Sequence, residues 1–361
     1  MKSKYSLNLG KYFGIKVSVH WSFSLLIAWI VFVTMRQGLE TFQILMHVVF
    51  ILTLFLCVLL HEFGHSLVAI KYGGEVHSIT LLPIGGMANI TKMPEKPKEE
   101  FLVSLAGPAV NIVIAGILGI YLSYIQPVSP EEMEFTYITA DNFLVMLLAA
   151  NIFIVAFNLI PAFPMDGGRL FRSALSIWMS RIDATRIAKN IGQIFAILFI
   201  IAGFYINPFL IIIGFFILLG ARGEYEIMKY QTTLEDHNVK EIILTDYEVL
   251  DPEDTLEKAI ELLQHMSGRG FVVKSGDKYK GLLTQRDLIN GLGKFGKDGK
   301  VEDVMNDDIQ EVASDMPIFE AYKYMRTHKY DLAPVIDSGQ FKGILETDSI
   351  NEFYMIRKAL Q

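Results

Sequence analysis

The sequence predicts an α-helical polytopic membrane domain of about six spanning helices plus a membrane-dipping β-hairpin, followed by a cytoplasmic α/β module built from two repeats. Three observations carry that expectation. Hydrophobic residues make up 52% of the 361 and mean hydropathy is +0.37, above the range of soluble globular chains. Long apolar runs stop near Arg222, after which Lys, Asp and Glu become frequent. The region beyond them then reads as one pattern of short strands and amphipathic helices used twice. The expected boundaries are 1–222 for the membrane domain, 223–238 for a short charged linker and 239–361 for the paired module.

The runs read as spans are about Val17 to Met35, Phe42 to Leu60, Phe101 to Ile125, Asn142 to Pro161, Ala188 to Ile206 and Phe209 to Leu219. The last is short, but the Asn207-Pro208 turn lets it pack back along its predecessor. The first is too long for the apolar part of a signal peptide and has no small-residue cleavage site after it, so it reads as a retained anchor. Lys and Arg set the orientation. Lys2, Lys4, Lys11 and Lys16 precede the first span, Lys71, Lys92, Lys96 and Lys98 follow the second, Arg169, Arg172, Arg181, Arg186 and Lys189 follow the fourth, and Arg222 and Lys229 follow the sixth. The opposite loops carry only Arg36, and the segment from Gln126 to Asp141 holds Glu131, Glu132, Glu134 and Asp141 with no base. Both termini are therefore expected in the cytoplasm of a prokaryotic cell. A net charge of -7 weighs against nucleic acid as a partner, because phosphate binding relies on clustered cations. The single cysteine, Cys57, excludes an intramolecular disulfide.

The chemistry starts at His61-Glu62-Phe63-Gly64-His65, at the end of a run that no charge interrupts between Glu40 and Glu62. A soluble zinc protease would show an amphipathic helix there. Histidines four residues apart share a helical face and can place two imidazole nitrogens on one zinc ion, with Glu62 positioned as general base. A catalytic zinc needs a third protein ligand, and Asp166 is the best candidate. It closes the stretch from Asn158 to Gly168, where Pro161 and Pro164 break the helix and Gly167 and Gly168 allow close backbone approach. Asn158 is costly at membrane depth unless hydrogen-bonded; it either polarises a substrate carbonyl or ties two helices together. Cys57 shares the histidine face one turn deeper and reads as a small packed hydrophobe.

Two short β-type runs between Val76 and Ile90 flank Ile84-Gly85-Gly86 and predict the hairpin. Its exposed edge could hold a peptide in extended form by strand addition, with Gly85 and Gly86 against the substrate. Gly107-Pro108 and Asn111 interrupt the third span as a kink and an intramembrane amide, which usually mark packing or cavities. His20 beside Trp21 reads as interfacial.

Three of these elements in order resemble the signatures of the site-2 protease family, the intramembrane zinc metalloproteases, in the subgroup with a C-terminal CBS-domain pair. His61 to His65 is similar to the family's H-E-x-x-H, Asn158 to Gly168 to its second signature with Asp166 in the third-ligand place, and Gly107-Pro108-Ala109-Val110-Asn111 to its central G-P-x-x-N. The resemblance implies one Zn2+ per chain and peptide-bond hydrolysis in or beside the membrane-spanning segment of another protein within the lipid bilayer.

The repeats run from about Val239 to Gly293 and from about Val301 to Ile356, with Val239-Lys240-Glu241-Ile242 matching Val301-Glu302-Asp303-Val304 and Gly281-Leu282-Leu283 matching Gly343-Ile344-Leu345. They resemble a CBS pair, which implies an adenine nucleotide, ATP first, as regulator and a homodimer formed through the pair. Thr284-Gln285-Arg286-Asp287 is similar to the ribose-contacting element, with Thr284 and Asp287 on the sugar. The second repeat departs from it, with Glu346 and Ser349 in those places and Asp348 next door. The competing expectation is a CBS-regulated transporter or channel using the His/Asp cluster as an ion relay. A relay has no need of Glu62 between the histidines, whereas zinc hydrolysis does.

Overall fold

The computed structural model describes residues 6–92, 94, 96–124, 137–263 and 270–360, and falls into two compact units, one within Met1–Tyr225 and one within Glu226–Gln361. Lys2, Lys4, Ile125 and the acidic stretch through Glu131, Glu132 and Glu134 lie outside the described residues.

The first unit opens with strands. β1 (Ser6–Tyr12) and β2 (Ile15–His20) pair antiparallel across Phe13 and Gly14, both with positive φ, 52° and 85°. Two left-handed residues in a two-residue loop match the twist of the flanking strands. β2 then pairs parallel with β3 (Glu75–Leu82), which pairs antiparallel with β4 (Gly85–Lys92), so β1 and β4 are the edges of a four-stranded sheet. This corrects the first expected span: Val17 to His20 is strand, and α1 covers only Ser22–Arg36. The period-two alternation Ile-Lys-Val-Ser-Val-His, with Ile15 and Val17 fully buried and Lys16 exposed, is satisfied by ladders on both sides of β2.

α2 (Thr41–Lys71) has 31 residues, about 46 Å at 1.5 Å per residue, so the apolar run and the histidine motif share one helix that continues well past Leu60. α3 (Pro97–Tyr124), α4 (Phe143–Asn158), α5 (Asp166–Leu175), α6 (Arg181–Tyr205) and α7 (Phe209–Glu235) follow. Among the described residues three helices, α2, α3 and α6, are long and apolar enough to cross a membrane; α1 and α4 are shorter apolar helices. Of the six expected spans, then, the first and fourth correspond to helices of 15 and 16 residues. The sheet packs on the motif itself: Ile15, Val17, Val76 and Ile79 form one core with Phe63 and Ala69 of α2 and Val103 of α3.

The second unit begins inside α7. The segment expected as a linker is helical to Glu235, because Leu234 is fully buried among Val239, Ile318 and Met325 and Tyr230 stacks against Tyr322 and Tyr354. Each repeat then supplies a 3-10 turn (Val239–Glu241; Val301–Asp303), a helix, an antiparallel strand pair and a second helix. In the first repeat these are α8 (Leu256–Leu263), β6 (Gly270–Ser275), β7 (Lys278–Thr284) and α9 (Gln285–Phe295), with a short β5 (Val249–Leu250) beside β6. In the second they are α10 (Ile318–His328), β8 (Leu332–Asp337), β9 (Gln340–Glu346) and α11 (Thr347–Leu360). The repeats clasp each other, since Leu244 bridges to Ile344 and Asn306 to Leu282, two contacts related by the same shift that takes Val239 to Val301.

Candidate functional site

His61 and His65 lie on successive turns of α2, both buried, with rings 4.7 Å apart. Asp166 starts α5 and meets them from the far side. His61 Nε2, His65 Nε2 and Asp166 Oδ2 form a nearly equilateral triangle with sides of 3.1, 3.1 and 3.2 Å. The residues 101 and 105 positions apart thus converge on one point, the cluster with metal-ligand chemistry among the described residues.

Hydrogen bonds behind the rings decide what the triangle can hold. Asn151 of α4 donates its amide nitrogen to the Leu147 carbonyl at 2.8 Å, and a carbonyl can only accept. Its oxygen therefore faces Asn111, whose nitrogen donates at 2.8 Å, so the Asn111 oxygen faces His61 Nδ1 at 2.6 Å. His61 must donate from Nδ1. The Val103 carbonyl imposes the same on His65 Nδ1 at 2.7 Å. Neutral imidazoles that donate from Nδ1 carry a bare lone pair on Nε2. Two lone pairs and a carboxylate oxygen aimed at one another within 3.2 Å repel unless a cation sits between them. Zinc with nitrogen and oxygen bonds of about 2.0–2.1 Å in tetrahedral array sets its donors about 3.3 Å apart, so the residues fit the ion.

α3 approaches this point through Gly107, where a Cβ would stand 2.2 Å from His65 Nε2 and 2.7 Å from His61 Nε2. No other residue leaves room there. Glu62 is half-buried on the side of the sheet, and a Cβ on Gly86 would stand 2.5 Å from its Cγ. The open strand β4 therefore runs directly past the glutamate. Gly85 does a different job: its φ of +137° forms the turn, and open space surrounds it.

The remaining expected residues separate. Asn158 ends α4 half-buried, with no hydrogen-bond partner for its amide among the described residues. Cys57 accepts from Asn151 Nδ2 at 3.6 Å and packs with Phe50 and Leu147, away from the triangle. His20 bonds Ser22 Oγ at 2.7 Å beside Trp21. In the second unit Thr284 and Asp287 face each other as a capping box on α9, with the Thr284 hydroxyl donating to Asp287 Oδ2 at 2.6 Å. Next to them a cavity of about 340 Å³ is lined by Arg286, Arg326, Lys329, Asp331 and Thr347.

Sequence reasoning took Asn111 for a packing amide and passed over Asn151, although a second amide inside an apolar helix was a visible signal. The Val103 carbonyl had no sequence signal, since every residue has one.

The model of peptidase family M50 matches residues 49–136 and 126–202, and the CBS-domain model matches 239–294 and 301–355. The chain is 32% identical over 348 residues to a zinc metalloprotease of Methanocaldococcus jannaschii, covering 96% of this chain and 95% of that one. It is 32% identical over 126 residues to stage IV sporulation protein FB of Bacillus subtilis, covering 34% of this chain and 39% of the relative. A solved site-2 protease from Methanocaldococcus jannaschii is 34% identical, covering 61% of this chain and 95% of that chain with a TM-score of 0.45.

Proposed function

The chain belongs to peptidase family M50, the site-2 proteases, and is a zinc metalloendopeptidase with a CBS-domain pair; on that premise we propose that it cleaves peptide bonds in or beside the membrane-spanning segments of other proteins. The observation that carries this reading is the triangle of lone-pair donors at His61, His65 and Asp166 beside Glu62, whose two histidines and glutamate stand on α2, a helix long and apolar enough to cross a membrane. His61, His65 and Asp166 would hold zinc, one ion per chain. When bound, the ion supplies Lewis-acid polarisation of a carbonyl and acidifies water. Glu62, beside the triangle, would take a proton from the attacking water and return it to the leaving amine. The open edge of β4 accepts the substrate as an added strand, which keeps the scissile segment extended beside Glu62. The unpartnered amide of Asn158 bonds the substrate carbonyl. The protein is multi-pass with both termini cytoplasmic.

The experiment is zinc analysis of detergent-purified protein together with cleavage of a membrane-embedded substrate. Wild-type protein should carry about one zinc per chain. His61→Ala, His65→Ala and Asp166→Ala should each lose it, while Glu62→Gln should keep it and lose cleavage. Wild-type turnover by Glu62→Gln would sink the mechanism.

Adenine nucleotide, ATP first, binds the CBS pair and shifts proteolysis by preferring one state of the enzyme, since equal affinity for two states shifts neither. The cationic cavity at Arg286, Arg326 and Lys329 supports this, because guanidinium and ammonium groups pair well with phosphate oxygens. Ribose then competes for Asp287, which in this structure is held by Thr284. The pair also forms the contact of a homodimer.

A further inference from the structure

One stripe of α3 touches both histidines of the triangle. Val103 and Asn111 orient the two histidines and Gly107 lets the backbone in, at helical spacings of four residues. Glu100, one turn before Val103, continues the same stripe and is 1% exposed. It does not reach a histidine. Its Oε1 accepts from Arg172 Nε at 3.0 Å and from Arg172 Nη2, and its Oε2 accepts from Arg181 Nη2 at 3.1 Å. Arg172 is 3% exposed and sits on α5, the helix that Asp166 begins. The same guanidinium lies 5.1 Å over the ring of Phe163, which is fully buried three residues before Asp166, and bonds Glu224 Oε1 at 3.2 Å.

From this we infer that Glu100 and Arg172 are positioning residues for the metal site: from the last turn of α5, the helix that Asp166 begins, they tie it to the helix that orients both histidines. The inference rests on the zinc reading above. Two observations favour positioning over simple stability. A buried ion pair adds little stability relative to apolar groups of the same size, because desolvating both charges offsets their attraction. What it does supply is direction, since the planar guanidinium of Arg172 presents Nε and Nη2 to Glu100 Oε1 and Nη1 to Glu224 in one fixed orientation. Asp166 arrives from a segment broken by Pro161 and Pro164, with no helix hydrogen bonds leading into it, so its register against His61 and His65 needs an outside reference. α3 is that reference.

The test uses full-length protein in detergent, with zinc affinity measured by chelator competition and the visible d–d spectrum of the Co2+-loaded protein as geometric readout. Arg172→Lys, which keeps the charge and loses the planar guanidinium, and the double variant Glu100→Leu/Arg172→Met, which removes both fully buried charges and leaves only the partly exposed Arg181 and Glu224 without them, should both fold with wild-type helix content. Both should bind zinc more weakly, by about 10–100-fold for the double variant, the usual cost of disturbing groups behind metal ligands. Their cobalt spectra should lose the intensity of a tetrahedral site. Wild-type zinc affinity and an unchanged cobalt spectrum in the two variants would overturn the proposal alone, and a double variant that fails to fold would mark the pair as a folding element and overturn it as well. Wild-type protein that holds no zinc would overturn the metal reading and this proposal with it.

Discussion

Replacing Gly107 by alanine puts a methyl carbon within 2.2 Å of His65 Nε2 and 2.7 Å of His61 Nε2, in the space the metal site needs. Gly107→Ala is therefore expected to lose zinc although no ligand has changed, which metal analysis of the purified variant checks. Asn111 acts at one remove. Its oxygen fixes the proton on His61 Nδ1, so Asn111→Leu frees the ring to turn or to change tautomer and should weaken zinc binding about 10–100-fold. Asn151 acts through Asn111, and Asn151→Leu should cost less than Asn111→Leu in the same competition assay. Equal losses would mean that Asn151 matters for helix packing rather than for the relay. Cys57 stands beside this relay but outside the triangle, so Cys57→Ser should keep both zinc and cleavage.

At the scale of the element, β4 and α2 work as a pair. The sheet rests on Phe63 and Ala69, which brings β4 against Glu62, and only a residue without a side chain fits at Gly86. Gly86→Val should displace the glutamate and block the strand edge, lowering turnover by at least tenfold while zinc content stays near one per chain. Gly85→Val meets no neighbour but forces a branched residue to φ +137°, so its effect should appear as lower thermal stability as well as lower turnover. Unchanged turnover in Gly86→Val would reduce β4 to a cap over the site. The hairpin was legible in the sequence from Ile84-Gly85-Gly86 between two short β-type runs. Its place in a four-stranded sheet was missed because Ile15 to His20 adjoins a long apolar run that outweighed its own alternation.

At the scale of the whole molecule, the chain divides within α7, between Tyr225 and Glu226. Leu234 and Tyr230 belong to the core of the second unit, and full burial of one leucine contributes about 1.5–3 kcal/mol. A fragment of residues 226–361 should therefore melt well above one of residues 239–361 in a thermal scan; equal melting points would show that the end of α7 is not part of that core. The longer fragment is also the one to use for calorimetry with ATP, ADP and AMP. Asp287→Ala should weaken the binding by removing a ribose partner, although the same change removes the carboxylate half of the capping box on α9, so helix content has to be followed alongside. No heat with any of the three at millimolar concentration would leave the pair as a dimerisation or docking unit.

What the sequence by itself determined was local chemistry. The four-residue spacing of His61 and His65 puts them on one face of any helix, Pro161 and Pro164 must end the helix before Asp166, and the matched repeats from Val239 and Val301 must build similar halves. The tertiary structure alone decided which groups stand behind those residues. The proton on His65 is set by a backbone carbonyl on another helix, and the register of Asp166 runs through a charge pair between positions 100 and 172. Such partners depend on how helices cross and how closely they pack, and a backbone carbonyl carries no mark in the sequence, so they become visible only once α2, α3, α4 and α5 are set side by side.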